Sequence, residues 1–125
     1  MKRLLLALGL VALAAVSAAC STATAQPLPS GPVADGPTIV AKDMKFVGGP
    51  VEVKAGANVT IHFDNQDQAP HNVAIYPDSS ASSPISIGEI VSSGSKDQVV
   101  PALKPGTYFF RCEVHHDMTG TIVAK

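Results

Sequence analysis

The sequence predicts an all-β fold, an antiparallel Greek-key β-sandwich of about seven or eight short strands. Three observations lead there. The chain has 125 residues with 5% aromatics and no Trp, enough for one small core. Apolar and polar residues alternate in short runs, most plainly where Val59, Ile61 and Phe63 interleave with Thr60, His62 and Asp64. Clusters of Gly, Pro, Asp and Ser divide these runs at short intervals, and no helical period intervenes.

The mean hydropathy of +0.23 is concentrated at the front of the chain. Met1-Lys2-Arg3 precedes Leu4 to Val16, almost all Leu, Ala and Val, and small residues continue to Cys20. Charged, apolar and small-residue regions in that order make an export signal, and the apolar run is shorter than the ~20 residues of a spanning helix. Val16-Ser17-Ala18-Ala19-Cys20 resembles a bacterial lipobox. Residues 1–19 are therefore expected to be a signal peptide and Cys20 the lipidated first residue of the mature chain, anchoring it to the membrane. The alternative is ordinary cleavage after Ala25, which would release a soluble protein. Gln26 to Pro37 holds four of the ten prolines together with Gly and Ser, so residues 20–37 are expected to be an extended tether.

The folded unit is then expected over residues 38–125, starting near Thr38. Its strand candidates are Ile39 to Phe46, Val51 to Val53, Asn58 to Asp64, Asn72 to Tyr76, Ile85 to Val91, Gln98 to Val100, Thr107 to Cys112 and Gly120 to Ala124. Turns are expected at Gly48-Gly49-Pro50, Ala55-Gly56, Pro77-Asp78, Ser93-Gly94 and Lys104-Pro105-Gly106, and an exposed loop at Asp78 to Pro84. Without Lys2 and Arg3 the chain keeps seven basic against ten acidic side chains, with no basic cluster. Nucleic acid is excluded as a partner.

Chemistry gathers in one heptapeptide. Cys112-Glu113-Val114-His115-His116-Asp117-Met118 places a thiol, an imidazole and a thioether at the spacing Cys-x2-His-x2-Met, directly after a strand. Two intervening residues span ~10 Å when extended, so a tight loop can bring all three groups to one point. One thiolate, two imidazoles and a weak axial thioether suit a mononuclear copper ion that carries electrons. His71, in Ala69-Pro70-His71-Asn72-Val73, is the candidate for the second imidazole. Taken singly, Cys112 reads as an inert buried thiol and Met118 as core packing, while a plain surface loop residue is the lesser reading of His71. Taken together, in an exported chain where free thiols are unusual, they read as ligands. A Cys20–Cys112 disulfide has nothing in the tether to favour it. His62 and His116 are expected to face solvent; His116 is the alternative ligand, although Met118 would then follow too closely.

Gly56, Asp64 to Asp67, His71-Asn72-Val73, Pro105-Gly106-Thr107-Tyr108 and Cys112 to Met118 together resemble the pattern of the small blue copper proteins, the cupredoxins, and the ligand loop has the spacing of the amicyanin type. The resemblance covers Gly56 to Lys125. It implies a cupredoxin-like sandwich and one Cu(I)/Cu(II) ion held by His71, Cys112, His115 and Met118. It also implies that Asn72 ties the two ligand loops together, with its backbone N–H turned toward the Cys112 sulfur. Where relatives carry Pro and an aromatic before the Met, this chain has His116-Asp117, which implies a more charged docking surface.

Competing chemistries fit less well. A dinuclear copper centre needs two bridging thiolates, and the loop has one. Zinc is poorly served by a thioether, and a catalytic metal keeps a position open that this ligand set fills. The chain is therefore expected to be no enzyme but a monomeric carrier of single electrons between redox partners in the bacterial cell envelope. An envelope protein for copper storage, delivery or resistance is the alternative, although such proteins expose several Met and His, and Met44 is the one other Met past the leader. A metal-free adhesion or scaffold sandwich is a third reading, and it predicts no colour.

Overall fold

The computed structural model describes residues 30–125. The expected signal peptide, Cys20, the Ala25 cleavage point and most of the tether lie outside the described residues. Nine strands follow in chain order: β1 (Val33–Lys42), β2 (Lys45–Val47), β3 (Val51–Val53), β4 (Asn58–Asn65), β5 (Ala74–Tyr76), β6 (Ser86–Ile87), β7 (Gly94–Val100), β8 (Gly106–Arg111) and β9 (Thr119–Ala124). They form two sheets, ordered β2-β1-β4-β7 and β3-β9-β8-β5-β6. No helix of the described residues is long and apolar enough to cross a membrane.

The alternation in β4 is what builds the core. Val59, Ile61 and Phe63 are buried while Thr60, His62 and Asp64 are only partly so. From the same sheet Ile39, Ala41 and Val100 join them, and from the other come Val53, Ile75, Phe110, Ile122 and Ala124. Burying a side chain of the Leu, Ile or Phe class contributes about 1.5–3 kcal/mol, so this two-sided cluster is the main support of the fold.

The sandwich is the expected one, with two differences in its strands. Where a wholly antiparallel fold was expected, β1 runs parallel to β4 and β3 parallel to β9. Parallel neighbours need a crossover, and the chain supplies it by leaving the first sheet after β2, adding β3 to the second, and returning as β4. The single strand expected over Ile39 to Phe46 is instead a hairpin, with β1 and β2 antiparallel about Asp43 and Met44 at φ 53° and 58°. A two-residue turn with both φ positive matches the twist of its strands, though Asn-Gly is its usual sequence.

Three expected limits also move. The first strand of the described residues begins at Val33, ahead of the expected Thr38, because Val33 to Asp35 pair with Asn58 to Thr60. Gly36 and Pro37, which suggested a tether, form a bulge between Asp35 and Thr38 where the register shifts. Pro37 has no N–H to give the ladder, and a Cβ on Gly36 would lie 2.5 Å from Val59 Cγ2 and closer still to the Thr60 carbonyl oxygen. The expected strand Ile85 to Val91 shrinks to β6, and just beyond it Gly88 passes so close to the Gln98 side-chain amide that a Cβ would sit 2.5 Å from it. Conversely, β7 reaches back to Gly94 along the full length of β4, although Ser95, Lys96 and Asp97 are exposed and show no apolar alternation.

Candidate metal centre

Two loops at one end of the sandwich meet. The first joins β8 to β9, whose pairing ends at Arg111↔Thr119, so the residues between form a loop closed at its base. The Cys112 N–H donates to the Met118 carbonyl at 3.0 Å and the Met118 N–H to the His115 carbonyl at 3.0 Å. These bonds fold the heptapeptide back on itself, as the Cys-x2-His-x2-Met spacing requires. The second loop joins β4 to β5 and carries His71, whose backbone exchanges hydrogen bonds with Val91 at 3.0 and 2.8 Å. Asn65, buried at the end of β4, donates from Nδ2 to the carbonyls of Ala69 (2.9 Å) and Val91 (2.7 Å) and fixes the loop from below.

Three donor atoms converge between the loops. Cys112 Sγ lies 3.8 Å from His71 Nδ1 and 4.0 Å from His115 Nδ1, and the two Nδ1 atoms are 3.1 Å apart. A metal ~2.3 Å from sulfur and ~2.0 Å from each nitrogen in a trigonal plane separates its ligands by about 3.7 Å (S to N) and 3.5 Å (N to N). The donors therefore fit one ion within a few tenths of an ångström. His71 and Cys112 are fully buried, and His115 is partly exposed. Met118 is 3% exposed at the end of the same loop.

The imidazole of His71 is held in one orientation. Its Nε2 lies 3.0 Å from Asp67 Oδ2. An ionised carboxylate only accepts, so Nε2 carries the proton and Nδ1 presents its lone pair to the other donors, the tautomer a metal ligand needs. Asp67 also accepts the N–H groups of Asp43 (2.8 Å) and Met44 (3.0 Å). The Met44 N–H is the main reason its carboxyl titrates below the ordinary range, with Asp43 and His71 acting the same way against partial burial.

Asn72 joins the two loops through its side chain. Oδ1 accepts the Glu113 N–H at 2.8 Å, and Nδ2 donates to the Gly88 carbonyl at 3.0 Å. The hydrogen-bond contacts of the Cys112 sulfur among the described residues are the two imidazoles, and the Asn72 N–H expected there is not one of them. Glu113 in turn receives Tyr76 Oη at 2.6 Å and Arg111 Nε at 2.8 Å, with the guanidinium 5.2 Å above the Tyr76 ring. Arg111 holds the Glu113 carboxyl down, while burial, and then Glu113, push the Tyr76 hydroxyl up.

The remaining histidines lie apart from the donors. His62 bridges Asp97 (Nδ1, 2.7 Å) and Asp35 (Nε2, 2.8 Å) on the outer face of the first sheet. His116 and Asp117 are exposed on the loop, beside the exposed Val114. Sequence reasoning passed over Asn65 and Asp67 as members of a polar loop. A carboxylate four residues before a candidate ligand His was the available signal, and it becomes specific only once the loop brings Asp67 round to Nε2.

The chain was compared with known proteins. No curated protein matches it. Among solved structures, auracyanin from Roseiflexus castenholzii superposes with a TM-score of 0.62 at 18% identity, covering 72% of this chain and 96% of that one. Amicyanin from Paracoccus versutus gives 0.57 at 24% identity, with 79% and 96% covered. A Cu(I) form of an amicyanin variant gives 0.56 at 21%, with 72% and 82% covered. At such identities the likeness is one of fold. The cupredoxin-like domain, by contrast, matches as a family over residues 7–124, a span that takes in both loops of the centre. The chain belongs to the cupredoxin-like domain family.

Proposed function

We propose that this protein binds one mononuclear copper ion as a type 1 centre and carries single electrons between redox partners in the bacterial cell envelope. The observation that supports this most is the convergence of Cys112 Sγ with the Nδ1 atoms of His71 and His115, with Cys112 and His71 buried and His71 already in the ligating tautomer. His71, Cys112 and His115 would hold the ion, with Met118 as the weak axial donor, and copper supplies the one-electron Cu(I)/Cu(II) step. The sandwich contributes rigidity. His71 is pinned by Val91, Asn65 and Asp67, and the Cys112 to Met118 backbone by its own bonds, so both loops would be held in place before an ion binds. Of the three convergent donors His115 alone is partly exposed, which makes its imidazole the route for the electron.

Donors buried in this way suit a carrier, and a storage or delivery protein must release its ion. Export follows from the leader, and attachment at Cys20 would keep the carrier at the membrane on its Pro-rich tether. The deciding experiment is the visible spectrum and midpoint potential of the copper-loaded protein. Strong thiolate-to-copper absorption, reversible one-electron cycling and loss of colour in Cys112→Ser with the sandwich intact are expected. Copper bound without colour would overturn the carrier reading. For the anchor, Cys20→Ala should move the protein from the membrane to the soluble fraction; an unchanged distribution would refute lipidation.

A further inference from the structure

The geometry points to Asp67 and the Asp43–Met44 turn as a positioning device for the metal centre, in which one carboxylate clamps the β1–β2 hairpin to the ring of His71. This rests on the copper reading for its consequence but on the described contacts for its existence.

Three donors from two distant stretches of chain meet on this carboxylate. Oδ1 takes the Asp43 N–H at 2.8 Å, while Oδ2 takes the Met44 N–H at 3.0 Å and His71 Nε2–H at 3.0 Å. The turn bears a conformational cost, because Asp43 and Met44 both sit at positive φ and neither is glycine. The hairpin favours that conformation and Asp43 tolerates it, but Met44 has no local preference for it. What it achieves is to aim two successive N–H groups at one anion, the arrangement by which backbone amides bind negative charge. Asp67 is thereby fixed from outside, with its side chain 14% exposed, and the buried ring of His71 is fixed from Asp67. The Gln66 N–H, which donates to the Ala41 carbonyl at 2.9 Å, joins the same loop to the end of β1 and keeps turn and carboxylate together.

Two consequences follow. The negative charge lies on the far side of the ligand ring and favours the more highly charged oxidised ion, so Asp67 lowers the potential. The turn also becomes part of the centre although it touches no donor atom, because without its two N–H groups the carboxylate is free to leave Nε2. Asp67 acts through His71 and is a positioning residue.

The test uses Asp67→Asn in the full chain, loaded with copper and metal-free. Asp67→Asn removes the charge and leaves one acceptor: an amide oxygen in the place of Oδ2 still takes the Met44 N–H and the His71 Nε2–H, while its NH2 group faces the Asp43 N–H in the place of Oδ1. It should raise the midpoint potential and change the copper hyperfine splitting and visible band ratio. In the metal-free protein it should speed amide exchange at Asp43, the N–H left facing the amide NH2, about tenfold, the loss of one hydrogen bond. An Asp67→Asn protein with unchanged potential, spectrum and exchange overturns the clamp. A parent that takes up no copper overturns the copper reading instead, and the metal-free exchange measurement then decides the clamp by itself.

Discussion

Replacing Asn72 by Ala should cost the metal-free protein ~2–3 kcal/mol. The side chain is 2% exposed and makes two hydrogen bonds, accepting from the Glu113 N–H at 2.8 Å and donating to the Gly88 carbonyl at 3.0 Å. Each is worth ~1 kcal/mol net, and each partner left unpaired adds up to ~1–3 kcal/mol when water cannot reach it. Glu113 and Gly88 are only partly buried, which places the sum toward the lower end. For a domain of this size that corresponds to a fall in Tm on the order of 10–20 °C. The two bonds join the loop that carries His71 to the loop that carries Cys112 and His115, so the loss should be larger in the ligand geometry than a surface bond of equal energy would make it. Thermal unfolding of parent and variant, metal-free and copper-loaded, separates the contributions. A Tm within ~2 °C of the parent would show that the loops are held together without Asn72. Asn72→Asp makes the comparison sharper. It keeps an acceptor for the Glu113 N–H but buries a charged carboxylate against the Gly88 carbonyl, and at neutral pH should be no more stable than Ala.

Three further outcomes are expected. Gly120→Ala should lose ~1–3 kcal/mol in urea titration, because the new Cβ would sit 2.5 Å from Cε1 of the buried Phe110 ring and nearer to its Cζ; a change below ~0.5 kcal/mol would mean the ring can move aside. His62 is raised above its ordinary 6.5 by its hydrogen bonds to Asp35 and then Asp97. Its contribution to stability is therefore full below 6.5 and lost as pH rises through the folded value. Parent and His62→Gln should differ most in mildly acid buffer and converge on the alkaline side, and a constant difference would refute the linkage. Met118→Leu should keep copper and colour but raise the midpoint potential, since removing a weak axial donor favours Cu(I); an unchanged potential would show that Met118 packs without coordinating.

What was legible in the sequence is what local pattern determines. The alternation Val59, Ile61, Phe63 places β4 and its buried face, and Cys-x2-His-x2-Met places the ligand loop, because both are properties of a few consecutive residues. The parallel pairs, the true start of β1 and the length of β7 were not legible, since each depends on a partner far along the chain. Val33 to Asp35 have the composition of a tether and become strand only because Asn58 to Thr60 offer them a free edge. Ser95, Lys96 and Asp97 show no apolar alternation, yet β4 pairs with them throughout. The hairpin at Asp43–Met44 has no glycine to announce it, and its conformation is supported by Asp67 from a different loop.

The same distinction applies within the centre. Donor identity is written locally, in Cys112, His115 and Met118, while donor orientation is written at a distance, in Asn65, Asp67 and Asn72. Asn65 holds the loop through Val91 and Ala69, Asp67 holds the ring of His71 from the side away from the other donors, and Asn72 holds the two loops to each other. None of the three offers a donor atom to the convergence of Sγ and the two Nδ1 atoms, so a search for metal-binding residues passes over them. A carrier depends on them nonetheless. An ion that changes charge without rearrangement needs ligands that cannot follow its preferences, and here that resistance would come from buried and partly buried polar side chains, with no buried side-chain N or O atom among the described residues left without a hydrogen-bond partner.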